Sequence, residues 1–514
     1  MTKREFSKGG LFLIALIPLA ALFVILGFSI IKWGLDPHIP LLLSAFVAAL
    51  VAIFILGYSW DELQKGISES IGIALPAILI LMIIGIVIGS WIISGTVPGL
   101  IYYGLDIINP KFFLVSGLFL TAIISIATGS SWTAAGTIGI ALIGIATALD
   151  FHIGWTAGAV VSGAYFGDKM SPLSDTTNLA PAVAGTDIFK HIRSMLYTTL
   201  PAFIVAAIVY TVVGFNLSSN GSVDLSQVSA TKEVLSMGFN IGLWVFIPPV
   251  LVITMILLKV PALPALFVSA LIGVAIAIPA NGIGMDEAMD VMHYGYSSDA
   301  ATMLVDDGYE MVETGEVNDD GDELFNYEKG GEIIDSSVVS NVDELLSRGG
   351  LDSMLWTVSL IICAMIFGGI MEAAGLLQAV VDMILKLVFG YTSLVVASLA
   401  TSAFVNVVAA DQYLAIVLPG KMYKKSFTED YNVEPYCFSR VLESGGTLTS
   451  PLVPWNTCGA TMSGFLGVPV WGAGGYAIYA IFNLVNVLFE VIAAAVGFGV
   501  VYKDDKEKIK EVMK

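Results

Sequence analysis

The chain is poor in the residues that build disulfide scaffolds and metal centres. It has only three cysteines in 514 residues, Cys363, Cys437 and Cys458, and all lie in or beside apolar segments. Their number is odd and their spacing is not that of metal ligands, so we interpret them as packing residues. The four histidines form no HExxH zinc signature. The sequence therefore predicts neither a disulfide framework nor a resident metal or cofactor.

Charged residues are also scarce. They make up 13% of the chain against 56% hydrophobic residues, and the mean hydropathy is +0.85. Several apolar runs reach the roughly 20 residues that a membrane-spanning helix needs, and a single signal peptide cannot explain so many. The runs are Leu11–Ile31, Ile39–Gly57, Ile71–Ile93, Thr199–Phe215, Leu235–Leu258, Ala262–Ala280 and Ser353–Ile370. This pattern predicts an all-α polytopic membrane protein that lies in a lipid bilayer, with no nucleic-acid partner.

The net charge of −20 is concentrated in one segment. Asp286 to Arg348 holds 18 acidic residues against Lys329 and Arg348, a local charge of −16, which leaves −4 for the remaining chain. We interpret residues 284–350 as an acidic extracellular insertion. It is either a solvated loop or a device that concentrates cations near an outer mouth of the protein.

Basic residues cluster in four places, which predicts the orientation of the chain. The clusters are Lys3, Arg4 and Lys8; Lys190 and Arg193; Lys421, Lys424 and Lys425; and Lys503 to Lys514. The positive-inside rule places all four in the cytoplasm. We therefore expect a multi-pass protein of the prokaryotic cell membrane, with a cytoplasmic N-terminus at 1–10 and a cytoplasmic charged tail at 503–514.

The chain matches itself when it is shifted by about 280 residues. Thr121 falls on Thr401, and Ser171-Pro172-Leu173 falls on Ser450-Pro451-Leu452. We expect two repeats, at 11–230 and 231–502, with inverted topology, re-entrant hairpins, discontinuous helices and about 10–14 membrane crossings. Inverted repeats of this kind are typical of secondary transporters with a binding site at the membrane midplane.

Four carboxylates fall within interrupted membrane segments: Asp168, Asp175, Asp411 and Glu443. An ionised group in the bilayer costs at least about 2.5–3.5 kcal/mol, so each one needs a compensating role. We interpret them as ion-binding or proton-carrying groups. The alternatives are an Asp168 pair with the next residue, Lys169, and a helical pair of Glu443 with Arg440. Glu490 is a weaker candidate that we expect nearer an interface.

Two polar segments, Ser162–Asp187 and Ser444–Gly464, occupy corresponding places in the two halves. Na⁺ prefers oxygen ligands, and these segments supply hydroxyl and amide oxygens. The candidate neutral ligands are Ser174, Thr176, Thr177, Asn178, Ser450, Asn456 and Thr457. The alternative role for such residues is capping of half-helices, and both roles can coexist.

The stretch GDKMSPLSDTTNLAPAVAGTD at Gly167–Asp187 resembles the signature of the NhaC family of Na⁺/H⁺ antiporters. The resemblance extends to ATGSSW at Ala127–Trp132 and SPLVPWNTCGA at Ser450–Ala460. It implies two inverted repeats and exchange of Na⁺ for H⁺. The same family includes malate–proton/lactate–sodium antiporters.

The sequence therefore favours a transporter, not an enzyme, that exchanges Na⁺ for H⁺ by alternating access. Exchange of an organic carboxylate coupled to Na⁺ or H⁺ is the alternative, with Lys169 or Arg440 helping to hold the anion. An intramembrane aspartyl protease is disfavoured because the segment Ser444–Gly464 offers no second aspartate. A homodimer is left open.

Overall fold

The computed structural model describes residues 4, 6–107, 109–149, 151–219, 225–317 and 323–504. Most of the charged tail at 503–514 lies outside these residues. The three cysteines are free and buried, as packing residues should be.

Helices dominate the described chain, which confirms the all-α polytopic prediction. Nine of the described helices are long and apolar enough to cross a membrane, or ten if one pair bent by 94° counts as a span. The helices are α1 (Lys8–Gly27), α2 (His38–Leu50), α3 (Trp60–Ile93), α4 (Thr96–Ile107), α5 (Phe113–Thr128), α6 (Ser131–Ala134), α7 (Ile140–Ala148), α8 (Ile153–Met170), α9 (Asp175–Ala184), α10 (Ile188–Ser219), α11 (Leu225–Gly238), α12 (Ile247–Leu257), α13 (Ala262–Asn281), α14 (Met285–Tyr294), α15 (Ala300–Asp306), α16 (Ser336–Leu346), α17 (Leu355–Ala373), α18 (Leu376–Leu385), α19 (Tyr391–Val408), α20 (Gln412–Lys425), α21 (Pro435–Thr449), α22 (Thr457–Leu466) and α23 (Ile481–Val496).

Two helical hairpins turn back on themselves at polar breaks. In the first, α5 ends at Gly129, which adopts a left-handed conformation (φ +69°), and α6 continues through a π-helical turn into α7. The ring of Phe113 contacts that of Phe151, so the two arms run antiparallel. In the second, α19 and α20 meet at a break where Ala410 is also left-handed (φ +58°). Both breaks fall where polar residues interrupt the apolar sequence.

Two helices are discontinuous. Between α8 and α9 the chain breaks at Ser171–Ser174, because Pro172 cannot donate to a continuing helix. Between α21 and α22 a 3₁₀ turn at Ser450–Leu452 precedes the second break. Each hairpin tip packs on the break of its own half: Gly129 lies against Ser174, and the carbonyl of Ala410 accepts from the Thr457 N–H at 3.0 Å.

Two pairs of helices make close contacts through a glycine. Gly163 of α8 packs directly on Thr121 of α5, and Gly445 of α21 packs in the same way on Ser402 of α19. A side chain at either glycine would separate the helices, so the two contacts need glycine for the same reason.

The two hairpins open toward opposite ends of the protein. Gly144 of α7 contacts Leu345 of the acidic insertion, so the first hairpin opens on the insertion's side. At the other end, Lys424 near the end of α20 donates to the carbonyl of Val183 near the end of α9 at 3.0 Å. Lys8 pairs with Asp382 at 3.0 Å at this second end.

The acidic insertion is a folded unit, not a bare loop. It contains α14, α15, α16 and a small antiparallel sheet ordered β1-β2-β3. Val338, Val342 and Leu345 of α16 are buried, so its apolar face packs on the protein while Glu344 is exposed. The strands are β1 (Glu310–Val317), β2 (Glu323–Lys329) and β3 (Glu332–Ile334).

Candidate functional site

A cavity of about 780 Å³ lies where both hairpin tips and both helix breaks converge. The hairpin tips contribute residues 128–132 and 411–413 to its lining. The helix breaks contribute residues 173–176 and Thr457, and parts of α3, α12 and α13 complete the lining. Its charged lining residues are three carboxylates, Asp168, Asp175 and Asp411, and one lysine, Lys259. The fold therefore brings three of the four predicted carboxylates to one space.

Asp168 is held at the wall of this cavity near the end of α8. Its side chain is 6% exposed, and its Oδ2 accepts a hydrogen bond from Ser131 Oγ at 2.8 Å. Ser131 belongs to the first hairpin tip, so the carboxylate links α8 to that hairpin. Asp168 lines the cavity, so its carboxylate is placed as a candidate cation ligand.

Asp411 occupies the second hairpin tip and caps α20. Its Oδ1 accepts from the backbone N–H of Leu414 at 2.8 Å. The positive end of the helix dipole stabilises an ionised carboxylate at this position. Asp175 stands in the first turn of α9, in a similar field, and its side chain is exposed to the cavity. Both carboxylates thus face the cavity from the N-terminal ends of helices.

Ser174, Thr176 and Thr457 are the predicted neutral ligands that line the cavity. The other four serve the backbone. Thr177 Oγ1 donates to the carbonyls of Asp168 and Lys169, both at 3.1 Å. Asn178 ties the break in its own segment together by donating to the carbonyls of Pro172 and Ser174.

In the second half, Ser450 and Asn456 are structural in the same sense. Ser450 Oγ donates back to the Thr447 carbonyl at 2.7 Å. Asn456 is the N-cap of α22, and its amide also donates to Asn406 of α19, which the sequence reasoning did not single out. Capping therefore accounts for part of the predicted ligand set.

The predicted partner of Asp168 points elsewhere. Lys169 is fully buried and its Nζ donates to Ser444 Oγ at 2.8 Å, and no carboxylate among the described residues lies within ion-pair distance of it. The Asp168–Lys169 ion pair is therefore absent from the described residues. Successive helical residues point about 100° apart, which turns the two side chains to different faces of α8.

Arg440 does not pair with Glu443 either. Its Nε lies 3.1 Å from Glu490 Oε2, and both side chains are at most 1% exposed. Glu490 also accepts from Thr198 Oγ1 at 2.6 Å and from Ser444 Oγ at 2.9 Å. Glu490 is therefore buried within the protein, and its place near a membrane interface stays a prediction. The sequence does contain a pattern that indicates this buried polar site: Asn483, Asn486 and Glu490 lie along one face of the otherwise apolar α23.

Glu443 is fully buried behind the cavity, on α21. Thr447 Oγ1 donates to its Oε1 at 3.1 Å, while its Oε2 has no hydrogen-bond partner in the described part of the chain. Thr176 lies both on the cavity and beside Glu443. Neither Glu443, Lys169 nor Arg440 lines the cavity itself.

Comparison with known proteins decides the family. The family model described as "Na+/H+ antiporter family" matches residues 163–311 and 325–498. The chain belongs to this Na⁺/H⁺ antiporter family. The matched region contains all four predicted carboxylates and the breaks of both discontinuous helices.

Several curated relatives match nearly the whole chain. It is 35% identical to the Na⁺/H⁺ antiporter NhaC of Alkalihalophilus pseudofirmus, over 94% of this chain and 96% of that protein. It is 36% identical to the malate-2H⁺/Na⁺-lactate antiporter of Bacillus subtilis, over 84% of each. It is 32% identical to the arginine/ornithine antiporter ArcD of Halobacterium salinarum, over 97% of this chain and 94% of that one. All three relatives are named as antiporters rather than as enzymes.

Proposed function

We propose that this protein exchanges Na⁺ for H⁺ across the cell membrane, by alternating access at the cavity between the two hairpin tips. The convergence of Asp168, Asp175 and Asp411 on one cavity carries the proposal. Three carboxylates against one lysine make the lining negative, and carboxylate, hydroxyl and carbonyl oxygens are the ligands that hard cations prefer. Family membership and the NhaC relative support the choice of ions.

The neutral part of the proposed site comes from the helix breaks. Ser174, Thr176 and Thr457 line the cavity with the carboxylates, and broken helices leave carbonyl groups without helical partners. Deprotonation of a carboxylate creates a cation site and protonation removes it, so a shared carboxylate would exchange the two ions. Asp168, which Ser131 links to the first hairpin tip, is our first choice for this shared ligand.

The proposed orientation places the basic end of the protein in the cytoplasm. This end contains the Lys8–Asp382 ion pair and the hydrogen bond from Lys424 to the Val183 carbonyl. The start of the tail lies there too, where Lys503 Nζ donates to the Thr428 carbonyl at 2.5 Å. The acidic insertion lies at the other end, which suits an extracellular location. Both termini are then cytoplasmic.

Everted membrane vesicles test the exchange directly. Respiration acidifies their interior, and addition of Na⁺ to vesicles that contain the protein should collapse the pH gradient. Vesicles with the Asp168→Asn variant should keep the gradient, while Lys425→Met, an exposed change on α20, should behave like the unaltered protein. A gradient that Na⁺ leaves untouched in vesicles with the unaltered protein contradicts the proposal.

A second candidate is exchange of an organic carboxylate coupled to Na⁺ or H⁺. One observation favours it: α9, α20 and α22 all begin at the cavity, and Lys259 lines it, so helix N-termini and an ammonium group face the same space. Lys169 and Arg440 do not support it, because both lie outside the lining. Uptake of labelled malate, lactate or arginine into proteoliposomes, measured with and without Na⁺, separates the two candidates.

A further inference from the structure

An apolar groove of about 580 Å³ lies on the surface of the protein, between α10 and the C-terminal end of α23. Its volume is within the range of small-molecule sites. Seven of its lining residues recur at helical spacing along one face of α10, and Phe489 and Phe498 form the opposite wall. Arg193 is the one charged residue of the described lining. The described linings of this groove and of the carboxylate cavity do not overlap, so the two are separate places in the fold.

This face of α10 is suited to contact with hydrocarbon. The helix at Ile188–Asn216 is a candidate membrane span. Leu196, Leu200 and Ile204 of the groove are 43%, 45% and 50% exposed. When a helix lies in a bilayer, exposed apolar side chains of this kind face the acyl chains of lipids, because hydrocarbon is the solvent there. An acyl chain is therefore the occupant that the lining fits.

The length of the groove matches one leaflet of the bilayer. Arg193 and Val205, the first and last lining residues of α10, are twelve residues apart. At a rise of about 1.5 Å per residue this separation is about 18 Å. Half of the hydrocarbon core of a bilayer is about 15 Å thick. A chain that lies along the groove from the level of Arg193 would therefore end near the bilayer midplane.

Positive charge lies at one end of this apolar groove. Arg193 is exposed, and Lys190 precedes it by about one turn of α10. The carboxylate nearest in sequence, Asp187, accepts from the backbone N–H groups of Phe189 and Lys190 at 2.9 and 3.3 Å, so it caps the helix. This is the basic end of the protein, for which a cytoplasmic location is proposed above. A guanidinium at the head of an acyl-chain groove is complementary to the phosphate of a lipid headgroup.

We infer that this groove binds one acyl chain of an anionic phospholipid of the cytoplasmic leaflet, and that Arg193 holds the lipid phosphate. The apolar face of α10 and the two phenylalanine rings enclose the chain. Lys190 adds to the attraction between this end of α10 and a headgroup with a net negative charge. A zwitterionic headgroup binds less well, because its own cationic group offsets that attraction.

Photo-crosslinking tests this inference on the full chain in phosphatidylcholine proteoliposomes. The probe is phosphatidylglycerol with a diazirine in one acyl chain, and phosphatidylcholine with the same chain is the comparison. Mass spectrometry of labelled peptides should show that phosphatidylglycerol labels residues 193–205 and 489–498 about fivefold more than phosphatidylcholine does. Both lipids should label the exposed apolar side of α1 around Phe23 alike.

Three variants show whether Arg193 causes the preference. Arg193→Gln should bring labelling of the groove by the two lipids close to equality, and Arg193→Lys should keep most of the difference. Lys425→Met removes an exposed charge at the same end but outside the described lining, and it should change nothing. If Arg193→Gln fails to fold, the comparison of the two lipids on the unaltered protein still decides the inference.

Three results overturn the inference. Equal labelling of the groove by the two lipids means that it takes any phospholipid. A preference for phosphatidylglycerol that Arg193→Gln leaves unchanged means that the headgroup binds elsewhere. Absence of labelling by both lipids means that no acyl chain enters the groove, and light scattering of the purified protein then shows whether a second copy of the chain covers it.

Discussion

Substituting Glu490 by glutamine removes one charge of the buried Arg440 pair and changes the side chain's shape very little. Arg440 is 1% exposed, and its guanidinium would keep its charge without a carboxylate in contact. Its bonds to the carbonyls of Gly499 and Ser194, at 3.0 and 3.3 Å, would remain but carry no net negative charge. Breaking a buried pair from one side costs about 3–5 kcal/mol.

The geometry places the Glu490→Gln variant toward the upper part of that range. The glutamine carbonyl can still accept from Thr198 and Ser444, which now share Oε1. Its amide then lies where Oε2 accepts from Arg440 Nε, so a donor faces a donor. We therefore expect the free energy of unfolding to fall by about 4–5 kcal/mol.

Unfolding in mixed micelles with increasing SDS, followed by tryptophan fluorescence, measures this difference. The double variant R440M/E490L removes both charges and should lie within about 1–2 kcal/mol of the unaltered protein, because no charge is left uncompensated. The resulting double-mutant cycle gives a coupling of several kcal/mol. A Glu490→Gln variant as stable as the unaltered protein refutes the view that this pair is fixed and structural.

Three further predictions concern packing, capping and pH. Gly167→Ala should lower the free energy of unfolding by about 1–3 kcal/mol, because the added Cβ would meet the backbone of α5. Gly27→Ala should leave the free energy of unfolding unchanged, because a Cβ at Gly27 meets no neighbouring atom. Unfolding in SDS measures both variants. Asp411→Asn should keep the cap of α20 and its stability but weaken ²²Na⁺ binding, and Asp411→Ala should also lose about 1 kcal/mol of stability. The hydroxyl and N–H of Thr302 hold the pKa of Asp299 below its usual range, so the capping contribution of Asp299 to α15 is present at neutral pH and is lost as pH falls through that lowered pKa. Hydrogen exchange in residues 300–306 should therefore rise at low pH. Exchange rates that do not depend on pH, after correction for intrinsic exchange, would contradict this.

The hairpins and helix breaks could be predicted from the sequence because their cause is local. Gly129, Pro172 and the polar residues around Asp411 interrupt apolar runs, and the bilayer tolerates such interruptions only where they line a cavity or are buried in protein. The two halves could be related because the same interruptions recur in order. Those features brought Asp168, Asp175 and Asp411 into one candidate site.

The buried charge pairs could not be predicted in the same way. Arg440 and Glu490 are 50 residues apart, and their contact depends on how α21 and α23 pack. Sequence neighbours gave wrong partners: Lys169 follows Asp168 directly, yet α8 turns its side chain toward Ser444. The folded insertion was also missed, since its acidic surface hides the short apolar face of α16 in the composition.

The most direct test of the central claim uses the purified chain in proteoliposomes with an acidic interior and ²²Na⁺ outside. The account predicts rapid ²²Na⁺ accumulation, which an ionophore that collapses the pH gradient should abolish. Asp168→Asn should show no such accumulation, and Lys425→Met should retain it. Accumulation at the rate of protein-free liposomes, or accumulation unchanged in Asp168→Asn, would contradict exchange of Na⁺ for H⁺ at this cavity.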